Sequence, residues 1–285
     1  MSLTAKLELA AHSFLPRSAT AAIRHLRRQV LYKLYRTRIV NHSYGAHRFA
    51  VELPDRTAES WYDRDWDVMA EIELLPRLKV GATVFNLGAH HGIVAMMLAR
   101  VVGPDGTIVA VEGSSRNARA ASRNFELNAI TNCTVLHAIA GEGPGQMPFD
   151  AFGNGRVATE GSKALGTEIV NCVSVDGLAV TYGQPDVVFV DVEGFECHVL
   201  RGSRSTLASR PDLFIEVHRG AGLEDQGGSV EELVSLLPGD YHLHIAAVNE
   251  AASTDAHVFR PWTGSTTDFH LYAPVRRFYM VAVTL

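Results

Sequence analysis

From about residue 80 onward the sequence alternates short, almost wholly apolar runs with segments that repeat apolar residues at helical spacing. Such runs are typical of strands covered on both faces, and strands separated by helices are joined by right-handed crossovers. The alternation therefore predicts an α/β fold with an open, mostly parallel sheet and helices on both faces. Strands are predicted at 83–87, 107–112, 134–140, 186–191, 212–217, 241–248 and 277–285, and helices at 93–102, 115–128 and 176–182.

Two segments interrupt this alternation. Residues 141–175 are rich in glycine and polar residues and include β-like pieces, which predicts a hairpin insertion. A loop over residues 220–228 ends in Ser229-Val230-Glu231-Glu232, a capping box that predicts the start of a helix. The expected organisation is a helical or irregular extension over residues 1–75, followed by one domain over residues 76–285 that carries the hairpin insertion.

Composition is that of an ordinary globular protein and limits where the chain works. Apolar residues make up 47% of the chain and charged residues 20%, and no apolar run reaches the roughly 18 residues that span a bilayer. The first residues lack the basic and apolar blocks of a secretory signal, which predicts a cytoplasmic protein. Three widely spaced cysteines without a CxxC pair predict reduced thiols rather than disulfides or a zinc site.

Charge is distributed unevenly along the chain. Residues 1–40 hold eight basic residues and one acidic residue, a net charge of +7, although the whole chain carries −5. Apolar residues recur at helical spacing over 21–40, which predicts an amphipathic helix packed on the main domain, with contact to a membrane surface as the alternative. Nucleic acid is not an expected partner, because the acidic remainder would repel phosphates. The sequence does not predict an oligomeric state.

A glycine turn follows the first predicted strand. In Asn86-Leu87-Gly88-Ala89-His90-His91-Gly92 the two glycines stand four residues apart, so a ligand can lie against bare backbone. The second strand ends at Glu112, where an acid can accept hydrogen bonds from both hydroxyls of a ribose. The turn departs from the dinucleotide pattern GxGxxG, because position 90 is histidine. A nucleoside cofactor is predicted. NAD and S-adenosylmethionine both contain such a ribose, and the glycine spacing disfavours NAD.

The fourth and fifth predicted strands end in titratable residues. Asp191 and Glu193 follow one strand, and Glu216 and His218 end the other. Neighbouring parallel strands end at one edge of a sheet, so these groups are expected to converge and to form a base site. His218 is the first candidate for a general base, because imidazole titrates near neutrality, and Asp191 is the second. Glu196 is expected to orient a neighbour or to favour the first turn of a helix.

Taken together, residues 80–220 resemble the FkbM family of methyltransferases. The matching motifs are the glycine turn, an acid after the second strand, Asp191-Val192-Glu193-Gly194-Phe195-Glu196, Leu200-Arg201-Gly202 and Glu216-Val217-His218. The resemblance implies a class I methyltransferase (Rossmann-like) fold, S-adenosylmethionine as cofactor, and methylation of a hydroxyl on a sugar or another natural product. It implies cofactor binding by Asn86, Gly88, Ala89, His90, Gly92, Glu112, Gly113, Ala140 and Asp191, and catalysis by His218, Asp191 and Glu193.

Two positions depart from the family pattern. Asn86 stands where the family usually has aspartate, and His90 where it usually has asparagine. An aspartate would help to hold the methionine amine of the cofactor, so asparagine is predicted to weaken binding by about 1–2 kcal/mol. A protein that binds S-adenosylmethionine without transferring its methyl group is one alternative function, and an NAD-dependent oxidoreductase is the other.

A metal ion is a variant of the same site. Carboxylate oxygens such as those of Asp191 and Glu193 suit Mg²⁺. On a regular strand, residues two apart share a face but do not converge. Both carboxylates are therefore expected to reach one ion only where the strand gives way to a loop.

Overall fold

The computed structural model describes residues 34–66, 78–151, 153–159, 167–247, 259–265 and 277–284. Its strands are β1 (Arg38–Tyr44), β2 (His47–Leu53), β3 (Thr83–Leu87), β4 (Thr107–Glu112), β5 (Cys133–His137), β6 (Ile139–Ala140), β7 (Gly145–Asp150), β8 (Arg156–Val157), β9 (Thr167–Val173), β10 (Val187–Val190), β11 (Asp212–Val217), β12 (His242–Ala247), β13 (Arg260–Trp262) and β14 (Phe278–Val283). Its helices are α1 (Arg56–Tyr62), α2 (Ile93–Val102), α3 (Ser115–Leu127), α4 (Val175–Tyr182), α5 (Glu196–Arg201), α6 (Arg204–Ala208) and α7 (Val230–Ser235).

The central sheet has the order β13-β12-β14-β11-β10-β3-β4-β5. Strands β11, β10, β3, β4 and β5 run parallel to one another, and β14 is antiparallel to both β11 and β12. The predicted open, mostly parallel sheet is confirmed. The insertion of the last strand between β11 and β12 has no signature in the sequence, and β13 was not predicted.

Apolar side chains on both faces of this sheet are buried under helices. Along β3, Phe85 and Leu87 belong to one core, together with residues of α4, α5 and α7. Val84 belongs to the core on the opposite face, with residues of α1 and α2. This alternation explains why the strand sequences are apolar throughout, and it confirms the predicted helices on both faces.

The strand order reverses between β3 and β10. The chain moves outward from β3 to β4 and β5, then returns to pair β10 with the other edge of β3. Ligands of open parallel sheets bind in the crevice beyond such a reversal. At this point Gly88 has φ +85°, and a Cβ placed on it would lie 1.7 Å from the backbone oxygen of Asp191.

This close approach gives a stability prediction. Gly88→Ala is expected to destabilise the fold by at least about 3 kcal/mol, because the methyl group overlaps backbone that cannot move independently. Gly81→Ala is the matched control, since Gly81 has φ +83° with no atom within 4 Å of a Cβ, and it should cost only about 1 kcal/mol of left-handed strain. Urea unfolding measures both, and equal losses would contradict the role given to the Gly88 contact.

The N-terminal segment differs from the expected helical or irregular extension. In its described part, β1 and β2 form an antiparallel hairpin that is followed by α1. The hairpin docks on α3, where Asn124 and Asn128 accept hydrogen bonds from the backbone of β2 at 2.7 and 2.9 Å. The helix predicted over 21–40 lies largely outside the described residues, and its last three positions belong to β1. The division of the chain at residues 75 and 76 stays a prediction.

A second sheet of four strands follows β5 in the chain. Its order is β6-β9-β7-β8, with β7 and β9 antiparallel. The predicted strand at 134–140 was wrong in extent, because the chain changes sheets at Ala138. Its first part, β5, is the edge strand of the central sheet, whereas β6 pairs with β9. An apolar run is compatible with either sheet, so the pattern alone could not locate the break.

Two local predictions can also be compared with the structure. Ser229 caps α7 by accepting a hydrogen bond from the Glu232 amide, as predicted, but the Glu232 carboxylate pairs with Arg201 instead of completing the box. Cys133, Cys172 and Cys197 form no disulfide. Among the described residues, no helix has the length and hydropathy needed to cross a bilayer.

Candidate active site

A cavity of about 520 Å³ opens at the carboxyl ends of β3, β4 and β10. The sheet therefore presents its cavity where open parallel sheets bind ligands. The wall contains nine residues that the sequence predicted: Asn86, Gly88, Ala89, His90, Glu112, Gly113, Ala140, Asp191 and Glu193.

Two other predicted site residues, Gly92 and His218, are not part of the cavity wall. Gly92 begins α2, and a Cβ placed on it would lie 2.8 Å from Cε1 of Phe125 and 3.0 Å from Cβ of Ala121. Its lack of a side chain therefore permits the packing of α2 against α3. His218 is 1% exposed and lies behind the wall, next to residues that form it.

Glu112 ends β4 inside the cavity and is 3% exposed. Its two carboxylate oxygens accept hydrogen bonds from the backbone amides of His90 and Ser114, both at 2.8 Å. Burial raises the pKa of Glu112 to about 7, although these amides oppose the shift. A ligand that donates hydroxyl hydrogens to the carboxylate would stabilise its charged form.

Asn86 lines the cavity and is 4% exposed. Its Oδ1 is buried and has no hydrogen-bond partner within the described ranges. Buried polar atoms are normally paired, so an unsatisfied acceptor on a residue that lines a cavity suits a donor group of a ligand.

His90 connects the glycine turn to the N-terminal segment. Its backbone has φ +49°, and its Nδ1 lies 2.6 Å from the hydroxyl of Tyr62 in α1. Burial lowers the pKa of His90 to about 4, so the ring is neutral at pH 7. A hydroxyl that donates to Nδ1 places the ring hydrogen on Nε2, which is buried at the cavity.

The chain turns sharply where β10 gives way to a loop. Glu193 has φ +51° and Gly194 has φ +105°, and a Cβ on Gly194 would lie 2.4 Å from the backbone of Gly222. The turn brings one carboxylate oxygen of Asp191 and one of Glu193 together with a ring nitrogen of His218. These three atoms all lie within 4.8 Å of one another. The carboxylates of Asp191 and Glu193 therefore converge where the strand gives way to a loop, which is the arrangement that a shared ion requires.

His218 is held by Glu196 on one side. Its Nδ1 lies 2.7 Å from Oε1 of Glu196, which is fully buried. Burial favours the neutral ring, but the hydrogen bond to Glu196 and the neighbouring carboxylates outweigh it and raise the pKa of His218 to about 10. Without a bound ion, this pKa favours the doubly protonated ring at neutral pH, and that form cannot accept a proton. Glu196 orients a neighbour and also begins α5, as expected.

One wall of the cavity was missed by the sequence analysis. Trp61, Tyr62, Arg64 and Trp66 line it from α1 and the residues after α1. Asn154 connects this wall to Glu193. Its Oδ1 accepts a hydrogen bond from Nε1 of Trp61 at 3.3 Å, and its Nδ2 donates to Oε1 of Glu193 at 2.7 Å. One feature of the sequence could have indicated this wall: two of the three tryptophans in the chain fall within six residues.

Comparison with known sequences decides the family. The sequence model described as "Methyltransferase FkbM domain" matches residues 86–251, which is more than half of the chain. The chain belongs to the FkbM methyltransferase family. The matched residues of this FkbM domain include the glycine turn, Glu112, Asp191, Glu193 and His218, and they exclude α1 and β14.

Individual relatives of this FkbM methyltransferase are distant. Hexuronic acid methyltransferase AglP of Haloferax volcanii is 37% identical over 82 residues, which are 27% of this chain and 31% of AglP. The solved Methyltransferase FkbM of Methylobacillus flagellatus is 18% identical with a TM-score of 0.44, over 64% of this chain and 43% of that one. A SAM-dependent O-methyltransferase of Thermotoga maritima gives 14% identity and a TM-score of 0.44, over 87% and 78% of the two chains. The chain thus spans less than half the length of the first two.

Proposed function

We propose that this chain transfers the methyl group of S-adenosylmethionine to a hydroxyl group of a sugar or related natural product. One observation supports this above the others. A single cavity joins a buried acid at the end of β4 to a cluster of carboxylates at the end of β10. The first arrangement suits a nucleoside ribose, and the second suits a hydroxyl that must lose its proton.

The cofactor would occupy the half of the cavity beside the glycine turn. Glu112 accepts the ribose hydroxyls, and the buried Oδ1 of Asn86 accepts from the methionine amine. Gly88 leaves the backbone bare where the amino-acid tail passes, and Gly113 and Ala140 line the neighbouring wall. With the cofactor bound in this way, its methyl group would lie towards Asp191, whose backbone oxygen packs against Gly88.

The acceptor would approach from the side of the aromatic wall. Methyl transfer is an in-line displacement, in which the hydroxyl oxygen forms the new bond to carbon while the bond between carbon and sulfur breaks. The electron pair of that bond returns to sulfur and neutralises the sulfonium. We assign the departing hydroxyl proton to Asp191, whose side chain is 44% exposed in the cavity. His218, already protonated, positions the carboxylates and is not the base in this proposal.

Aromatic and cationic groups support a sugar as the acceptor. Trp61 and Trp66 present apolar rings on which the C–H faces of a sugar can stack, and the guanidinium of Arg64 lies 3.9 Å from the ring centre of Trp66. An arginine in such a wall can bind a carboxylate. AglP is named for hexuronic acid, so uronic acids are the first acceptor class to test here.

The assay that tests this function needs no prior substrate. The purified chain is incubated with donor labelled in its methyl group and with panels of uronic acids, neutral sugars and their glycosides, and products are read by mass spectrometry. We expect label in a product that has gained one methyl on oxygen. Label on nitrogen or carbon, or the absence of a methylated product from every class, would contradict the proposal.

Two other functions predict different ligand responses. An NAD-dependent oxidoreductase would be stabilised against heat by NADH, whereas the proposed enzyme is stabilised by S-adenosylhomocysteine. A protein that binds the donor without transfer would show the second response but no turnover. The carboxylates of Asp191 and Glu193, inside the same cavity as Glu112, favour transfer.

Asn86 gives a prediction of increased affinity. Asn86→Asp is expected to strengthen the binding of S-adenosylhomocysteine about tenfold, because a charge-assisted hydrogen bond to the amine replaces a neutral one, worth about 1–2 kcal/mol. Isothermal titration measures the change. Asn171→Asp, at an exposed position of β9 outside the cavity wall, adds the same charge and should leave affinity unchanged. Equal or weaker binding by Asn86→Asp would remove the amine from this position.

A further inference from the structure

We propose that Asp191, Glu193 and His218 form a binding site for a divalent first-row transition-metal ion such as Mn²⁺ or Zn²⁺. Each residue offers one ligand atom, and the three atoms all lie within 4.8 Å of one another. Two of the three residues are in the cavity wall, so the ion would face the acceptor. Its use in catalysis rests on the proposed function, but its binding does not.

A buried imidazole nitrogen that makes no hydrogen bond is a second observation that points to an ion. His218 is 1% exposed, and its Nε2 makes no hydrogen bond in the part of the chain that the structure describes. The nearest oxygens of Glu193 and Asp191 lie 3.4 and 3.7 Å away. Ligands about 2.1 Å from one ion lie about 3.0–3.5 Å apart, so the two contacts of Nε2 are already close to that spacing. The two carboxylate oxygens lie within 4.8 Å of each other.

The other nitrogen of the imidazole, Nδ1, already has a carboxylate partner, as is usual for metal-binding histidines. Oε1 of Glu196 lies 2.7 Å from Nδ1 of His218 and also accepts the amide of Gly194 at 2.9 Å. Binding of an ion displaces the Nε2 proton to solvent, and the carboxylate that holds the Nδ1 hydrogen then leaves the Nε2 lone pair directed at the ion. Asn154 similarly engages Oε1 of Glu193, and the other oxygen, Oε2, is the one that faces His218.

The donor set selects the kind of ion. Mg²⁺ prefers an all-oxygen shell and keeps several waters, whereas imidazole suits Mn²⁺, Fe²⁺, Co²⁺ and Zn²⁺. Two carboxylates balance the charge of a divalent ion when the imidazole is neutral. Glu216 also lies 3.7 Å from Nε2, but Arg277 pairs with it at 3.2 Å. With His218 as a third ligand, the site therefore favours a transition-metal ion over the Mg²⁺ that two carboxylates alone would indicate.

An ion here would lower the pKa of an acceptor hydroxyl bound to it. The O–H bond then breaks, and the proton passes to the carboxylate oxygen of Asp191 that does not bind the ion. The oxygen electron pair forms the bond to the methyl carbon, and sulfur keeps the pair of the broken bond.

Metal binding can be measured on the full chain without donor or acceptor. The protein is stripped with a chelator, and Mn²⁺ is titrated while free ion is followed by electron paramagnetic resonance; Zn²⁺ and Mg²⁺ are titrated by calorimetry. We expect one equivalent of Mn²⁺ or Zn²⁺ to bind, and Mg²⁺ to bind at least about tenfold more weakly. Glu193→Gln and His218→Asn should each weaken Mn²⁺ binding by about thirtyfold or more.

A matched control is His198→Asn. His198 also contacts a carboxylate, with Nδ1 2.8 Å from Glu142, but it lies outside the cavity wall. It should bind Mn²⁺ like the wild type. Glu193 is partly exposed, so its variant stays informative if His218→Asn does not fold, which circular dichroism would show. Absence of binding, equal affinity in Glu193→Gln, or Mg²⁺ bound as tightly as Mn²⁺ would overturn the proposal.

Titration with S-adenosylhomocysteine separates this proposal from the proposed function. A protein that binds S-adenosylhomocysteine but no ion retains the methyltransferase assignment and loses the metal site. A protein that binds Mn²⁺ through the three residues but not S-adenosylhomocysteine keeps the metal site and loses the function.

Discussion

Glu112→Gln is expected to weaken the binding of S-adenosylhomocysteine by more than about a hundredfold. The carboxylate would accept both ribose hydroxyls, and the loss of two charge-assisted hydrogen bonds corresponds to about 3 kcal/mol. The amide also brings an N–H₂ group against an N–H donor, since both oxygens of Glu112 now accept from backbone. Isothermal titration measures the affinity, and Glu126→Gln, whose side chain is 67% exposed, should bind like the wild type.

The same residue predicts how affinity depends on pH. Burial raises the pKa of Glu112 to about 7 in the free protein, while donating hydroxyls favour the charged form, so binding releases a proton below that pH. Affinity should therefore rise about tenfold from pH 6 to pH 8 and level off above. Glu112→Gln should lose this dependence. A wild-type affinity independent of pH over this range would place the ribose elsewhere.

Asp191→Asn is expected to lower kcat by about a thousandfold and to leave the affinity for S-adenosylhomocysteine within about threefold. A positioned general base contributes about 10²–10⁴ to rate, and the loss is also expected if the carboxylate holds an ion. Single-turnover measurements with the acceptor found in the screen would give the chemical step. The control is Asp225→Asn, an exposed acid on a neighbouring loop. Retention of wild-type kcat by Asp191→Asn would exclude the proton transfer assigned to it.

Much of the fold could be predicted because its elements are encoded locally. Each parallel strand of the central sheet is a short apolar run, and its burial on both faces is the reason for that composition. The positions of Glu112 and Asp191 at strand ends follow directly, since neighbouring parallel strands end at one edge. Nine of the predicted site residues therefore lie in one cavity wall.

What could not be predicted depends on contacts between distant residues. The contact of Tyr62 with His90 joins positions 28 apart, and no periodicity in either segment implies it. The raised pKa of His218 is a second case, because an isolated imidazole titrates near neutrality. Its basicity here comes from Glu196, which is fully buried and meets it only after β10 and β11 have paired.

The insertion of β14 between β11 and β12 has a consequence for biosynthesis. Until residues 278–283 have left the ribosome, each of those two strands presents a row of unpaired N–H and C=O groups, which is a template for intermolecular aggregation. Translation that stops upstream of Phe278 would yield such a chain. An expression fragment trimmed to residues 86–251 would inherit the same open edge.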